Sequence, residues 1–229
     1  FRGMIHKHII QSNKTLRYLE RAREGKISEA SRFGVGEIDD HLRFKKGNFI
    51  VVTGHANVGK THTMTYLQLL HTLENGTKWL IYSSENEVQS LQRKIIEFLA
   101  GKPINQIDER TFWRHHSFVE GHWAFLDSEL IVDAFELLEI AKEVYDAWEF
   151  QGMMIDPYNS LTIKKEYLKG VSTHEYHYEV TSHIRKFCKE YGITTILNTH
   201  PATQALRQVH KGSHDYANHT MPPMASDVE

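Results

Sequence analysis

The sequence lacks several features that define whole classes of protein. It contains one cysteine, Cys188, among 229 residues, which excludes an intramolecular disulfide framework and fits a reducing compartment, so we expect a cytoplasmic location. It has no run of about 18 apolar residues, and no membrane-spanning helix is predicted. It has no charged-then-apolar leader, which predicts that there is no signal peptide. Because the chain begins at Phe1 rather than Met, we expect a fragment.

Net charge is also small. The chain has 27 Lys and Arg residues against 29 Asp and Glu residues, which gives a net charge of −2. This balance argues against a generally basic protein that coats nucleic acid, although it leaves room for a local basic channel. Hydrophobic residues make up 40% of the chain, which is enough for a sizeable core in one or at most two domains.

The residue pattern changes near residue 32. Residues 1–31 are polar and helical in pattern, with Leu16, Leu19 and Ala22 on one face. We interpret them as an arm or linker, and a docked surface helix and a subunit-contacting arm fit equally well. Residues 32–229 alternate short apolar runs with helical patterns and are predicted to form one α/β domain.

The alternation within residues 32–229 predicts a mostly parallel sheet with helices on both faces. Strands are predicted at residues 48–53, 79–83, 122–127, 153–156 and 193–198, and helices at residues 60–74, 88–100, 129–148 and 173–191. The strands are continuous apolar runs, which is typical of strands buried on both faces. Ligands of such sheets bind beyond the carboxyl ends of the strands, so functional residues are expected there.

The strongest motif lies between the first predicted strand and the following helix. Residues 54–61 read GHANVGKT and match G-x-x-x-x-G-K-[ST], a loop whose backbone N–H groups surround a phosphate. Lys60 would reach the β- and γ-phosphates, and the Thr61 hydroxyl would bind Mg²⁺. The alternative is a glycine-rich turn without a ligand, which the strand–loop–helix context disfavours.

Two carboxylates at strand ends suit the same chemistry. Asp156 ends the fourth predicted strand and is a candidate Mg²⁺ residue, usually acting through water, although an Asp at this position is often structural. Glu85 follows the second strand and is a candidate to orient the attacking water. Glu87 competes for that role, but a charge favoured by the helix N-terminus explains it better.

His200 follows the fifth predicted strand, in the run LNTHP. A polar side chain at this position would lie near the γ-phosphate and could report its hydrolysis to the segment that follows. A lone histidine is often only structural, and the strand-end position favours the sensor interpretation.

Several segments together resemble one known family, the RecA-type core of replicative helicases. The likeness is greatest to the DnaB-like group and its phage and mitochondrial Twinkle-type relatives. It covers residues 32–229 and rests on the runs GHANVGKT, SSEN, MMIDPYNSL and LNTHP, and on residues 33–42 and 45–54 before the loop. This chain departs from the DnaB-like pattern around Glu85, where DnaB-like chains usually read SLEM and this chain reads SSEN. His200 takes the place where DnaB-like chains often carry glutamine and Twinkle-type relatives a histidine.

The resemblance implies a RecA-like P-loop NTPase fold and a motor that hydrolyses ATP with Mg²⁺ to translocate on single-stranded DNA and unwind duplex. It implies a ring, most simply a hexamer, a bacterial or phage origin, and C-terminal strands and basic residues beyond residue 229. Glu85, Lys60 and His200 would act in hydrolysis, and Thr61 and Asp156 would hold the metal. The expected nucleotide-binding residues are Gly54, His55, Ala56, Asn57, Val58, Gly59, Lys60, Thr61 and His62.

In a RecA-type core, the segments after the fourth and fifth strands face the central channel. They correspond to residues 159–175 and 202–225, which are polar and locally basic. The candidate DNA-binding residues are Lys164, Lys165, Lys169, Arg207 and Lys211, with His210 and His214 beside the last two and with Tyr158, Tyr167 and Tyr216 as stacking faces. A solvated loop is the alternative.

Other functions remain open from the sequence. A RecA-type recombinase or helicase loader would share the fold without unwinding, and a signalling or assembly ATPase would not use DNA. The pair His174 and His177 has helical i, i+3 spacing but no cysteine or HExxH partner, which disfavours zinc. His115 and His116 are interpreted as part of a surface loop.

Overall fold

The computed structural model describes residues 12–25, 30–131, 133–164, 167 and 170–201. The chain divides into two compact units, Phe1–Ser31 and Arg32–Glu229. In the first unit, helix α1 spans Ser12–Arg23. Leu16 and Leu19 lie one turn apart on this helix and are 51% and 57% exposed, so the predicted apolar stripe is on its surface.

The second unit is built on a five-stranded parallel sheet. Its strands are β1 Phe49–Thr53, β2 Trp79–Ser83, β3 Trp123–Leu126, β4 Gly152–Asp156 and β5 Thr194–Thr199, in the order β1-β5-β4-β2-β3. This confirms the predicted α/β class with parallel strands. The register pairs Ser83 with Asp156 and Thr53 with Thr199, so the carboxyl ends of these four strands lie level at one edge.

Six helices of the second unit surround the sheet within the described residues. They are α2 Gly36–Asp39, α3 Lys60–Asn75, α4 Val88–Ala100, α5 Glu109–His122, α6 Ala134–Ala147 and α7 Thr173–Tyr191, with short 3-10 turns at Ile104–Gln106, Ser128–Leu130 and Tyr158–Ser160. Helices α3, α4 and α7 each end at a glycine in the left-handed conformation, with φ between 64° and 68°. Only glycine takes that conformation without strain, so these residues stop the helices.

The hydrophobic core has two parts, one on each face of the sheet. Leu80 and Met153 pack with residues of α6 and α7, whereas Ile81 and Met154 pack with residues of α3, α4 and α5. Successive residues of a strand point to opposite faces, so an apolar residue at every position is buried on one side or the other. The continuous apolar runs in the sequence therefore reflect a sheet covered on both faces.

The predicted helix at residues 129–148 starts too early. Helix α6 begins at Ala134, because the Asp133 side chain accepts hydrogen bonds from the backbone N–H groups of Phe135 and Glu136 and caps the helix. Residues Ser128–Leu130 form a separate 3-10 turn. The apolar residues Leu130 and Ile131 extended the helical pattern beyond its true start.

Helix α5 was not predicted, and interpreting His115 and His116 as a loop was wrong. Asp108 caps the helix by accepting from the Thr111 N–H at 3.0 Å, and Val119 is buried against the core. The helix is rich in aromatic residues and histidine, which have modest helix propensity. The N-cap aspartate was the signal that should have identified it.

Strand β1 is less buried than its apolar sequence predicts. Val51 is 48% exposed and Thr53 is also exposed. In the part of the chain that the structure describes, β1 pairs with β5 alone and lies at an edge of the sheet. This edge position explains the difference, and β3, at the other end of the strand order, is largely half-buried.

Candidate nucleotide-binding site

The loop between β1 and α3 has the backbone of a phosphate-binding loop. Asn57 and Gly59 adopt positive φ angles of 63° and 89°, which turns successive backbone N–H groups towards a common centre. A Cβ atom on Gly54 would lie 3.2 Å from Val58 Cγ2 and 3.5 Å from Lys60 Cδ. The glycine therefore allows the close approach of the loop to its own helix, and the strand–loop–helix context of the motif is present.

Lys60 lies at the start of α3 with its ammonium group turned back onto the loop. Nζ donates to the carbonyl oxygens of Gly54 and His55, at 2.7 and 2.9 Å, and is 3.1 Å from Nδ1 of His200. Burial lowers the pKa of Lys60, opposed by the nearby carboxylates of Asp156 and Glu85. The three ammonium protons are therefore held in place by neutral acceptors that a phosphate group could replace.

Thr61 and Asp156 are in direct contact. The Thr61 hydroxyl donates to Asp156 Oδ2 at 2.7 Å, and Asn198 Nδ2 donates to Asp156 Oδ1 at 2.8 Å. Asp156 and Asn198 are almost completely buried. This arrangement fixes a hydroxyl and a carboxylate, two oxygen ligands that suit Mg²⁺, at the mouth of the loop.

Glu85 and His200 form the second pair of the site. His200 Nε2 is 3.0 Å from Glu85 Oε1. Since an ammonium group can only donate, Nδ1 of His200 accepts from Lys60, and Nε2 therefore carries the proton and donates to Glu85. The 3.3 Å approach of Nδ1 to the Gly54 carbonyl is then a contact between two acceptors. Lys60, His200 and Glu85 make one hydrogen-bonded chain.

Glu87, the competing carboxylate, lies elsewhere. It is the N-cap residue of α4, and its Oε2 accepts a hydrogen bond from Gln89 Nε2 at 2.7 Å. It does not line the cavity at the loop. Its position agrees with the interpretation as a charge at a helix N-terminus rather than as a hydrolytic residue.

A cavity of about 460 Å³ opens at this edge of the sheet. Of the residues predicted from sequence, it is lined by Ala56, Asn57, Gly59, Lys60, Thr61, His62, Glu85, Asp156 and His200. The predicted nucleotide residues Gly54, His55 and Val58 do not line it: Gly54 forms the base of the loop, and Val58 is 61% exposed. The cavity thus brings together residues from α3 and from the ends of three strands.

Two lining residues, Asn86 and Lys94, were not predicted. Asn86 follows Glu85 directly, and its backbone N–H donates to the Ser83 hydroxyl at 3.2 Å. Lys94 lies on the second turn of α4. Its position one helical segment after the end of β2 was the available signal, but a lysine on a helix is too common to be singled out from sequence.

Only some of the candidate DNA-binding residues lie within the described part of the chain. Lys165, Lys169, Arg207 and Lys211, with His210, His214 and Tyr216, lie outside the described residues. Lys164 is described, and its Nζ is 2.5 Å from Asp133 Oδ2, whose side chain is fully buried. Burial opposes ionisation of Asp133, but Lys164 and the capped N–H groups outweigh it and lower the pKa of that carboxyl. Lys164 is therefore held in an ion pair.

Tyr158 and Tyr167, two of the three tyrosines predicted to stack on DNA bases, pack against other residues of the protein. Tyr158 is 5% exposed, and its hydroxyl lies 2.7 Å from Nδ1 of His177, so the interpretation of Tyr158 as a stacking face is wrong. Tyr167 is 38% exposed but packs against the rings of Phe135 and Tyr176. Both tyrosines of the segment between β4 and α7 therefore contribute to packing.

Comparisons with known proteins identify the fold. No family model matches the chain, and no curated protein matches it. One solved structure, described as an ATPase domain, superposes with a TM-score of 0.67 at 14% identity, covering 95% of this chain and 77% of that one. A DnaB-like replicative helicase, whose structure was solved together with its interactions with primase, superposes with a TM-score of 0.65 at 14% identity, covering 98% of this chain.

The chain spans 54% of that DnaB-like helicase. A KaiC-like protein from Pyrococcus horikoshii is also similar, with a TM-score of 0.48 at 22% identity over 69% of this chain and 64% of that one. No helix in the described part of the chain is long and apolar enough to cross a membrane. The sheet order, the loop and the two extensive superpositions show that the chain has a RecA-like α/β fold, which it shares with these two solved structures.

Proposed function

We propose that this chain is the motor domain of a replicative DNA helicase, which hydrolyses ATP to translocate on single-stranded DNA and unwind duplex. The observation that supports the proposal best is the meeting of Lys60, Thr61, Glu85, Asp156 and His200 around one cavity. Two of the similar structures, an ATPase domain and a DnaB-like replicative helicase, match over nearly the whole chain.

The residues around the cavity fit a magnesium nucleotide. The Thr61 hydroxyl and the Asp156 carboxylate are adjacent oxygen donors, and the curled loop supplies backbone N–H groups for phosphate.

Each residue then has a chemical role. Lys60 exchanges its bonds to Gly54, His55 and His200 for bonds to the phosphates, where its charge stabilises the transition state. Asp156, held by Thr61 and Asn198, would hold Mg²⁺ together with the Thr61 hydroxyl. Bound Mg²⁺ would neutralise charge that develops on the phosphate oxygens.

Glu85 is the group that orients the attacking water. Its carboxylate is half-exposed, lines the cavity and is hydrogen-bonded to His200. It is therefore held in place and still accessible to a water molecule in the cavity. Release of Lys60 from His200 on nucleotide binding leaves the imidazole free to turn, and its new position depends on whether a γ-phosphate is present. His200 thereby reports the nucleotide state to the chain that follows β5.

The partner we propose is single-stranded DNA in the channel of a homo-oligomeric ring, most simply a hexamer. The segment after β4 carries Lys164 at the same edge of the sheet as the nucleotide cavity. Its ion pair with Asp133 must open for Lys164 to bind a phosphate group, so DNA binding by this lysine is coupled to movement of the segment.

The test is the rate of ATP hydrolysis with and without single-stranded DNA, together with unwinding of a forked duplex, on the longest chain that contains this domain. We expect single-stranded DNA to raise the rate severalfold and the fork to be unwound, and the mass measured with nucleotide to match a ring. Strand exchange without unwinding would identify a recombinase instead. A rate that DNA leaves unchanged would favour a signalling or assembly ATPase and overturn the proposal.

A further inference from the structure

The Asn159 side chain links the turn after β4 to the end of β5. It lies in the 3-10 turn Tyr158–Ser160 that follows β4. Its side-chain Oδ1 accepts a hydrogen bond from the His200 backbone N–H at 2.7 Å and another from the Thr199 hydroxyl at 2.7 Å. One amide oxygen therefore holds the last residue of β5 and the residue that follows it.

This contact holds the backbone from which the His200 ring extends. The backbone at His200 is the base from which its ring reaches Lys60 on one side and Glu85 on the other. The adjacent Thr199 carbonyl oxygen also lies 3.4 Å from the Gly54 backbone nitrogen at the start of the loop. A shift of Asn159 relative to β5 would move the imidazole with respect to both Lys60 and Glu85.

We propose that Asn159 is a positioning residue that links the segment after β4 to the hydrolytic site through His200. The inference rests on the proposed function, because residues 159–175 are the segment assigned to DNA. Asn159 is the first residue of that segment, and its side chain bonds directly to the His200 backbone. When DNA displaces the segment, the loss or gain of this hydrogen bond reorients His200 and changes the rate of hydrolysis.

The first test is a double-mutant cycle in ATP hydrolysis without DNA. Asn159→Ala removes the acceptor, and we expect kcat to fall about tenfold with KM changed less than about twofold. In a His200→Ala background the same substitution should change kcat less than about twofold, because residues that act through one another are not additive. Asn159→Asp keeps an acceptor oxygen and should recover most of the lost rate.

Gln151→Ala is the matched control. Gln151 is also an amide whose side-chain oxygen accepts a backbone N–H, that of Lys78 at 2.9 Å, but it joins β4 to β2 at the opposite edge of the sheet. We expect Gln151→Ala and Asn159→Ala to lower the melting temperature by similar amounts, and only Asn159→Ala to lower kcat. Equal falls in kcat would mean that Asn159 is merely structural and would overturn the inference.

The second test measures coupling by binding alone. The ratio of single-stranded DNA affinities with and without a non-hydrolysable ATP analogue reports the linkage between the two sites. We expect this ratio to exceed about fivefold in the wild-type chain and to fall towards one in Asn159→Ala.

The outcomes separate the two proposals. A wild-type ratio of one would contradict the DNA-motor proposal, and the double-mutant cycle would still decide whether Asn159 acts through His200. A wild-type ratio above one that Asn159→Ala leaves intact would overturn the coupling role alone. Additive effects of Asn159→Ala and His200→Ala on kcat would overturn the positioning role.

Discussion

Polar side chains are buried at both ends of the parallel sheet, but they are satisfied in different ways. At the amino end, Trp79 Nε1 donates to the Thr72 hydroxyl, and the Thr77 hydroxyl lies 2.7 Å from His71 Nδ1. The Thr72 hydroxyl is also within 3.0 Å of the Gln68 and Thr77 carbonyl oxygens. These groups meet one another in a closed network that packs among aromatic rings.

At the carboxyl end the network opens onto a cavity. Lys60, His200 and Glu85 are linked in a chain, but the cavity beside them has a volume of about 460 Å³. His55 Nδ1 and Asn198 Oδ1, in residues that adjoin the site but do not line the cavity, are buried without a hydrogen-bond partner among the described residues. The amino-end network is closed by its own side chains, whereas the carboxyl-end network borders a cavity large enough for a ligand. Substitutions at the two ends should therefore affect different properties.

The largest effect is expected for Glu85→Gln. The substitution keeps the shape of the side chain but removes the charge that we propose to orient water, so we expect kcat for ATP hydrolysis to fall about 10²–10⁴-fold. Nucleotide binding and the melting temperature should change little, because the amide can still bond to His200. Steady-state hydrolysis and nucleotide titration measure both, and retained turnover would move the hydrolytic role to another residue.

At the opposite end, Gly152→Ala should alter stability and not catalysis. An added Cβ would lie 2.2 to 2.8 Å from atoms of the buried Trp79 ring, so we expect the free energy of unfolding to fall by about 3 kcal/mol. Urea denaturation gives the change, while kcat per folded molecule should stay the same. Gly121→Ala, whose added Cβ meets nothing within 4 Å, is the control and should not destabilise.

The closed network also predicts a dependence of stability on pH. Burial lowers the pKa of His71 to about 4, although Asp39 acts in the opposite direction. The unfolded chain therefore binds more protons between pH 6.5 and 4, and stability falls as the pH falls through that range. From this shift we expect a loss of about 2 kcal/mol in the free energy of unfolding between about pH 7 and pH 5.

His71→Gln provides the comparison, because glutamine can bond to Thr77 but does not titrate. Its stability should fall by about 2 kcal/mol less than that of the wild type over the same pH range. Urea denaturation at the two pH values measures the difference. Equal slopes for the two chains would show that His71 is not the titrating group.

The smallest effect is expected for Lys164→Ala. If Lys164 leaves Asp133 to bind one DNA phosphate, its loss should weaken binding of single-stranded DNA about threefold and reduce the salt slope by about 0.7. Lys142→Ala removes a lysine that pairs with Glu139 on α6 and should change neither. A salt slope that Lys164→Ala leaves unchanged would remove this residue from the proposed DNA interface.

Much of the fold could be predicted from sequence, because the strands are unbroken apolar runs and three helices end at glycine. The site was also accessible, since parallel strands place their carboxyl ends at one edge and Glu85, Asp156 and His200 each lie at or just after a strand end. Helix α5 could not be predicted from its aromatic composition. The ion pair of Lys164 and the packing of Tyr158 depend on contacts between distant segments, which local patterns do not encode.

The role of Asn159 shows the same limit. Its two bonds join residues 40 and 41 positions apart in the sequence, and nothing near Asn159 distinguishes it from an ordinary turn residue. Sequence located most of the charged groups at this edge of the sheet, although not Lys94. The hydrogen bonds that orient them became visible only when the ends of β4 and β5 were placed side by side.

The central claim is that Lys60 and its neighbours at the carboxyl edge form one nucleotide site. Titration of a fluorescent ATP analogue in the presence of Mg²⁺, on the wild-type chain and on Lys60→Ala, tests it most directly. We predict saturable binding by the wild type, weakened by at least about tenfold in Lys60→Ala and also weakened when the metal is chelated. Equal binding by the two chains, or no binding by a folded wild-type chain, would contradict the account.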